Sequence, residues 1–244
     1  MSAISPCLLL ALSCALFGAS PTLAEQRCLT AADLKSGITV AVRQGPSQSY
    51  VAKGRDVLAV VPVLSGSFTA ELLLARGLHV IRDHRTEHDT APPPPEGEIL
   101  VGGNDGGTLT TEYIYANLPK PRADWTGMVR ITRDQDGPSI GPQPTIKGRV
   151  AATVRFLPAK TVTITGCPYR IQPVETEFRL NADSQFTMGG EPVEDIAGAA
   201  GTPLLTRRQI WFPDLGFAVI TREQSRDSGW GEDWGQGIIG LTAD

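Results

Sequence analysis

The chain has 244 residues, with 22 lysines and arginines against 26 aspartates and glutamates and a formal net charge of -4. That mild acidity, without any basic run, excludes the electrostatic footprint of a nucleic-acid-binding protein. Beyond residue 24 no stretch is long and apolar enough to cross a membrane as a helix, and the remaining length suffices for one large β domain or two small ones.

The N-terminus reads as an export signal. Cys7 to Phe17 is a nearly unbroken apolar run, too short to span a bilayer as a mature helix, and the helix breakers Gly18 and Pro21 follow it. Thr22-Leu23-Ala24 then presents small residues at the two positions a signal peptidase reads, although Met1 to Pro6 carries no lysine or arginine. We expect residues 1–24 to be a signal peptide cleaved after Ala24, giving a periplasmic or secreted product. Ala11-Leu12-Ser13-Cys14 loosely matches a lipobox, so lipid attachment at Cys14 is the rival expectation. Of four cysteines the processed chain keeps Cys28 and Cys167, and an even pair behind a secretory signal predicts a disulfide between them.

From Cys28 onward the pattern is that of strands. Thr30-Ala31-Ala32-Asp33 fits a short helical turn with Thr30 as N-cap, ended by Gly37. Ile38 to Arg43, Ser49 to Lys53 and Val57 to Val63 alternate apolar and polar residues between Gly- or Pro-containing turns. Residues 68–75 fit helix or strand by pattern alone, and the surrounding strands favour strand. The next strand contains Val80 and Ile81. Pro92-Pro93-Pro94-Pro95 is a surface spacer that cannot join a ladder. A small unit follows: Ile99 to Val101, a Gly-rich turn over 102–107, and Thr108 to Ala116. Met128 to Thr132 is a further strand, and Gly137 to Pro144 a second Pro/Gly-rich loop.

The densest β signal lies between Gly148 and Gly189, in the runs 148–157, 160–167 and 174–180. Val193 to Ala200 is a weak helix candidate because of Gly198. Leu204 to Phe212 and Gly216 to Thr221 lead into a Gly/Trp-rich tail. Two echoes, Tyr50 to Leu58 with Phe178 to Phe186 and Gly77 to Ile81 with Gly216 to Ile220, raise the prospect of similar halves. The expectation is an all-β exported domain over 25–244, mostly antiparallel strands and hairpins with few short helices. Its possible halves are 25–90 and 146–244, around a Pro-rich linker and small β unit at 91–145.

The sharpest chemical motif is His84-Arg85-Thr86-Glu87-His88, which resembles the H-x-x-E-H motif of the inverzincin peptidases. The resemblance implies zinc on His84 and His88, Glu87 activating water, and a distant glutamate such as Glu112, Glu175 or Glu177 as third ligand. With His79 it gathers all three histidines of the chain, beside Asp83 and Asp89. The motif needs a helix, so that i and i+4 share a face, whereas here it leaves a strand; a solvated strand end is the reading we favour. A serine triad would have to draw on the same clustered histidines.

Gly102 to Gly107 resembles one turn of a calcium β-roll, which needs several stacked repeats. Asp134-Gln135-Asp136-Gly137 begins like an EF-hand loop, but Thr145 stands where the bidentate glutamate belongs. Trp230 and Trp234 flank Glu232 and Asp233 and form a possible binding surface for a sugar or a partner. The expected function is a non-catalytic cell-envelope protein, binding or structural, with no cofactor and an unknown envelope protein or apolar ligand as partner. Long meanders with few helices resemble the half-barrel of periplasmic lipoprotein carriers, so a carrier of a lipid or other apolar ligand is the alternative. A zinc hydrolase on His84, Glu87 and His88 is the second alternative.

Overall fold

Alternating β-branched and polar residues produce seventeen strands in the computed structural model, which describes residues 27–43, 45–62, 68–88, 107–136, 145–188, 191–192, 200–225, 231–232 and 237–244. They are β1 (Ile38–Val42), β2 (Gln48–Lys53), β3 (Asp56–Pro62), β4 (Phe68–Ala75), β5 (His79–Glu87), β6 (Thr108–Tyr115) and β7 (Trp125–Asp136). There follow β8 (Thr145–Lys147), β9 (Val150–Phe156), β10 (Lys160–Ile164), β11 (Cys167–Arg179), β12 (Gln185–Met188) and β13 (Glu191–Pro192). The last are β14 (Pro203–Phe212), β15 (Phe217–Ser225), β16 (Gly231–Glu232) and β17 (Ile238–Ala243). The protein is nearly all β, and residues 68–75 are strand. No helix among the described residues is long and apolar enough to cross a membrane.

A fourteen-stranded sheet runs β16-β15-β14-β11-β9-β7-β6-β5-β4-β3-β2-β1-β17, with β10 paired to β11 off this path. Every pairing is antiparallel, and the order from β1 to β7 is that of the chain, a plain meander. The segment expected as a separate small unit supplies the β6–β7 hairpin, which joins β5 to β9 within this sheet. β8, β12 and β13 form a three-stranded sheet of their own.

Twisted open sheets rarely exceed about ten strands without curling, and this one rolls up. β15 shows the consequence: Phe217, Ala218, Val219 and Ile220 are consecutive and all buried, so both faces of the strand are covered. On one face the Phe217 ring lies 4.7 Å from the ring of Tyr50 on β2, far away in strand order. On the other, Ala218 joins Leu78, Val154, Val174 and Trp211 in a second apolar cluster. The β4–β5 and β14–β15 turns meet at this point. A Cβ on Gly77, whose φ is +69°, would lie 1.9 Å from the Gly216 carbonyl oxygen, so only glycine fits.

Cys28 and Cys167 are joined in a disulfide across a sequence separation of 139, fastening the N-terminus to the start of β11. Beside it the Leu29 amide donates to the Tyr169 hydroxyl at 3.0 Å. The expected turn is present but capped the other way. It is a 3-10 turn over Asp33–Lys35 with Ala32 at its N-cap and no capping side chain. The Asp33 carboxylate, rather than the Thr30 hydroxyl, is the acceptor, taking the Thr30 amide at 2.7 Å and the Thr30 hydroxyl at 3.0 Å. Hydrogen bonds from Arg27 and from the Thr30 backbone hold that carboxyl down to about 2.

Candidate functional site

The seam of the roll lies between β10 and β17. Among the described residues β10 pairs only with β11 and β17 only with β1, so each presents an open edge. They approach each other at one end, where a Cβ on Gly240 would lie 4.0 Å from Cγ2 of Thr165 in the β10–β11 turn. Away from that end a cleft of about 490 Å³ opens, within the usual size of small-molecule sites. Its walls are apolar: Val162 and Ile164 of β10, Ile171 of β11, Ile210 and Phe212 of β14, and Ile238 of β17. The polar lining is Arg208 and Arg222, both exposed, with Thr163 and Thr221.

A β-bulge decides which side chains reach this cleft. Pairing of Phe212 with Phe217 and Ile210 with Val219 puts the odd-numbered residues of β15 on the cleft face. Unbroken alternation would then place Glu223 in the cleft and Arg222 in the interior. Instead Gln209 pairs with Ile220 while Arg208 pairs with Arg222, leaving Thr221 as the extra residue. The Thr221 hydroxyl donates to the Arg208 carbonyl at 3.2 Å. Past the bulge the faces exchange: Arg222 joins Arg208 on the cleft face, and Glu223 turns inward beside Arg207.

Inside, Glu223 and Arg207 form an ionic network. Arg207 Nε donates to Glu223 Oε2 at 2.7 Å and its Nη2 to the Tyr113 hydroxyl of β6 at 3.3 Å. Arg85 of β5 reaches Glu223 and Asp83, each at 3.1 Å. Burial by itself would raise the Glu223 carboxyl, but the Arg207 and Arg85 charges outweigh it and hold the group below the usual carboxylate range. This network clamps β14 and β15 to β5 and β6 across the roll. It lies apart from the cleft.

The other sequence-derived residues do not converge. His84 sits on β5, with Nδ1 2.9 Å from the hydroxyl of Thr110, its neighbour on β6. His88 follows the strand, with Nε2 2.7 Å from the Thr69 hydroxyl. Four residues of extended chain advance about 13 Å, whereas two zinc ligands must each lie about 2 Å from one ion. Glu87, three residues from His84, faces the other side of the sheet. The helix that the inverzincin pattern requires is thus absent at this position. Glu175 is engaged with Arg208 at 2.9 Å and Glu177 with Arg179 at 2.6 Å, while Glu112 is exposed on β6. Among the described residues no three histidine, cysteine or carboxylate side chains could hold a metal.

Trp230 and Trp234, Asp89, the Gly-rich turn at 102–106 and the helix candidate at 193–199 lie outside the described residues. So does Gly137-Pro138-Ser139-Ile140-Gly141, which spells the G-x-S-x-G of a nucleophile elbow. That elbow belongs to a strand-to-helix turn of an α/β sheet, and the neighbouring strands β7 and β8 are part of an all-β protein. The cleft itself had no motif. Its signals are the alternating apolar residues Val162 and Ile164 of β10 and Ile210 and Phe212 of β14, with the arginines of β14 and β15, which mean nothing until the strands are placed. Comparison with protein-family models, with curated proteins and with solved structures finds no match to this chain.

Proposed function

We propose that the chain is a non-catalytic, exported binding protein of the cell envelope that holds an apolar ligand in the cleft between β10 and β17. The observation that carries this reading is the cleft: about 490 Å³ bounded chiefly by Val162, Ile164, Ile171, Ile210, Phe212 and Ile238, at the seam of the roll. Apolar walls with a few polar groups at one side are the usual make-up of a small-molecule site. The Cys28–Cys167 disulfide supports an oxidising compartment, and the apolar run before Ala24 supports export. A ligand bound in the cleft would cover its apolar part against these side chains of the walls, which is what a carrier of an insoluble molecule requires.

Val162 is half-buried on the cleft wall and packs against the core, so a tryptophan there fills the space from its open side. The test is titration of a fluorescent apolar probe into wild type and Val162→Trp. Wild type is expected to bind and the variant to lose binding with its melting midpoint preserved. Equal probe binding by both proteins, or none by wild type, would overturn the proposal.

A further inference from the structure

The cleft face carries a charge arrangement that sheets ordinarily avoid. Pairing across four adjacent strands sets Arg155 of β9 opposite Glu175 of β11, Glu175 opposite Arg208 of β14, and Arg208 opposite Arg222 of β15. Three guanidiniums thus share one carboxylate, and two arginines stand directly opposed. Like charges directly across a ladder are destabilising, and the places where a sequence breaks a local rule are often functional. Glu175 gives its carboxylate to Arg208 at 2.9 Å, and Arg222 has no side-chain partner among the described residues.

The bulge at Thr221 makes the opposition possible. Without it Arg222 would face inward; with it the guanidinium stands beside Arg208 at the polar end of an apolar cleft. Paired guanidiniums match the oxygens of a carboxylate or phosphate, and such charge-assisted contacts are the stronger kind of hydrogen bond. An anion between the two arginines would remove the repulsion, and the cleft continues from that point past Ile210 to Phe212 and Ile238.

We propose that Arg208 and Arg222 form an anion site at the mouth of the cleft, which takes the carboxylate or phosphate head of a single-chain amphiphile. The tail lies along Ile210, Phe212 and Ile238. This deepens the binding reading above and rests on it.

The experiment is calorimetric titration of the full-length processed protein with decyl phosphate, decanoate, decanol and inorganic phosphate, repeated on Arg222→Gln. The two anionic chains should bind wild type about 10- to 100-fold more tightly than decanol, and this advantage should vanish in the variant while decanol binding stays. Inorganic phosphate should bind far more weakly than decyl phosphate. Equal affinity for decanol and the anionic chains would overturn the anion site and leave the apolar cleft standing. No binding by any chain would overturn both readings. Inorganic phosphate binding as tightly as decyl phosphate would overturn the amphiphile, because the tail would then contribute nothing. Without ligand, Arg222→Gln relieves the opposed charges, so its melting midpoint should hold or rise; a fall would remove the ground on which the site is proposed.

Discussion

His79 is a buried base with a measurable consequence. The residue is 2 % exposed, and its Nε2 has no hydrogen-bond partner among the described residues. Burial first, and the nearby Arg76 charge second, push its titration down to about 4. The unfolded chain takes up the proton near pH 6.5 and the folded chain only near 4, so the unfolded state binds more protons in between. Stability therefore falls as pH drops from about 7 to about 4, by about 3 kcal/mol from this residue. Denaturant unfolding of wild type and His79→Phe at pH 7, 5.5 and 4 checks it: the difference between the two should shift across that window. A constant offset would refute the assignment. At this scale the sequence was partly legible. The disulfide was legible because Cys28 and Cys167 are the two cysteines beyond the N-terminal apolar run. The burial of His79 and the aim of Arg222 were illegible, since each depends on which strands lie above it.

Among the elements, the β14–β15 hairpin concentrates what the sequence could and could not reveal. Both strands were visible as apolar runs, at Leu204 to Phe212 and Gly216 to Thr221. The bulge was not, because the residues past it, Arg222 and Glu223, are both charged, so the change of phase leaves no apolar signal. β7 was underestimated for a different reason. It was expected over Met128 to Thr132 and runs Trp125–Asp136, but only Val129 and Ile131 are buried, so its outer residues read as loop. The network beneath the hairpin yields a second prediction. Arg207→Met leaves Glu223 buried without its main partner and should cost about 3–5 kcal/mol. The double variant Arg207→Met/Glu223→Met should recover a large part of that loss, as measured by urea unfolding. A double variant no more stable than the single would show that packing, rather than charge pairing, is what Arg207 provides.

For the whole molecule, composition and periodicity sufficed for the class, nearly all β and antiparallel, while the roll did not follow from them. Strand order is set by contacts between residues far apart in sequence, such as Tyr50 with Phe217, and no local pattern encodes which faces meet. Among the described residues the disulfide is the one covalent tie across that distance. With a separation of 139 it removes much of the freedom of the unfolded chain, and the chain-entropy account gives it a stabilising effect of about 4–5 kcal/mol at most. Paired replacement Cys28→Ser/Cys167→Ser should lower stability by an amount no larger than this, read as a shift in denaturant midpoint; an unchanged midpoint would mean the tie does not restrict the unfolded chain.

The pairing of β17 with β1 carries a consequence for biogenesis. The first strand of the sheet is completed by the last, so β1 must wait with one bare ladder edge until Ile238–Ala243 has been synthesised. Among the described residues nothing nearer in the chain relieves it, and unpaired strand edges are where nascent β proteins aggregate or pair with their neighbours. A chain cut before Ile238 would thus leave its opening strand searching for a mate.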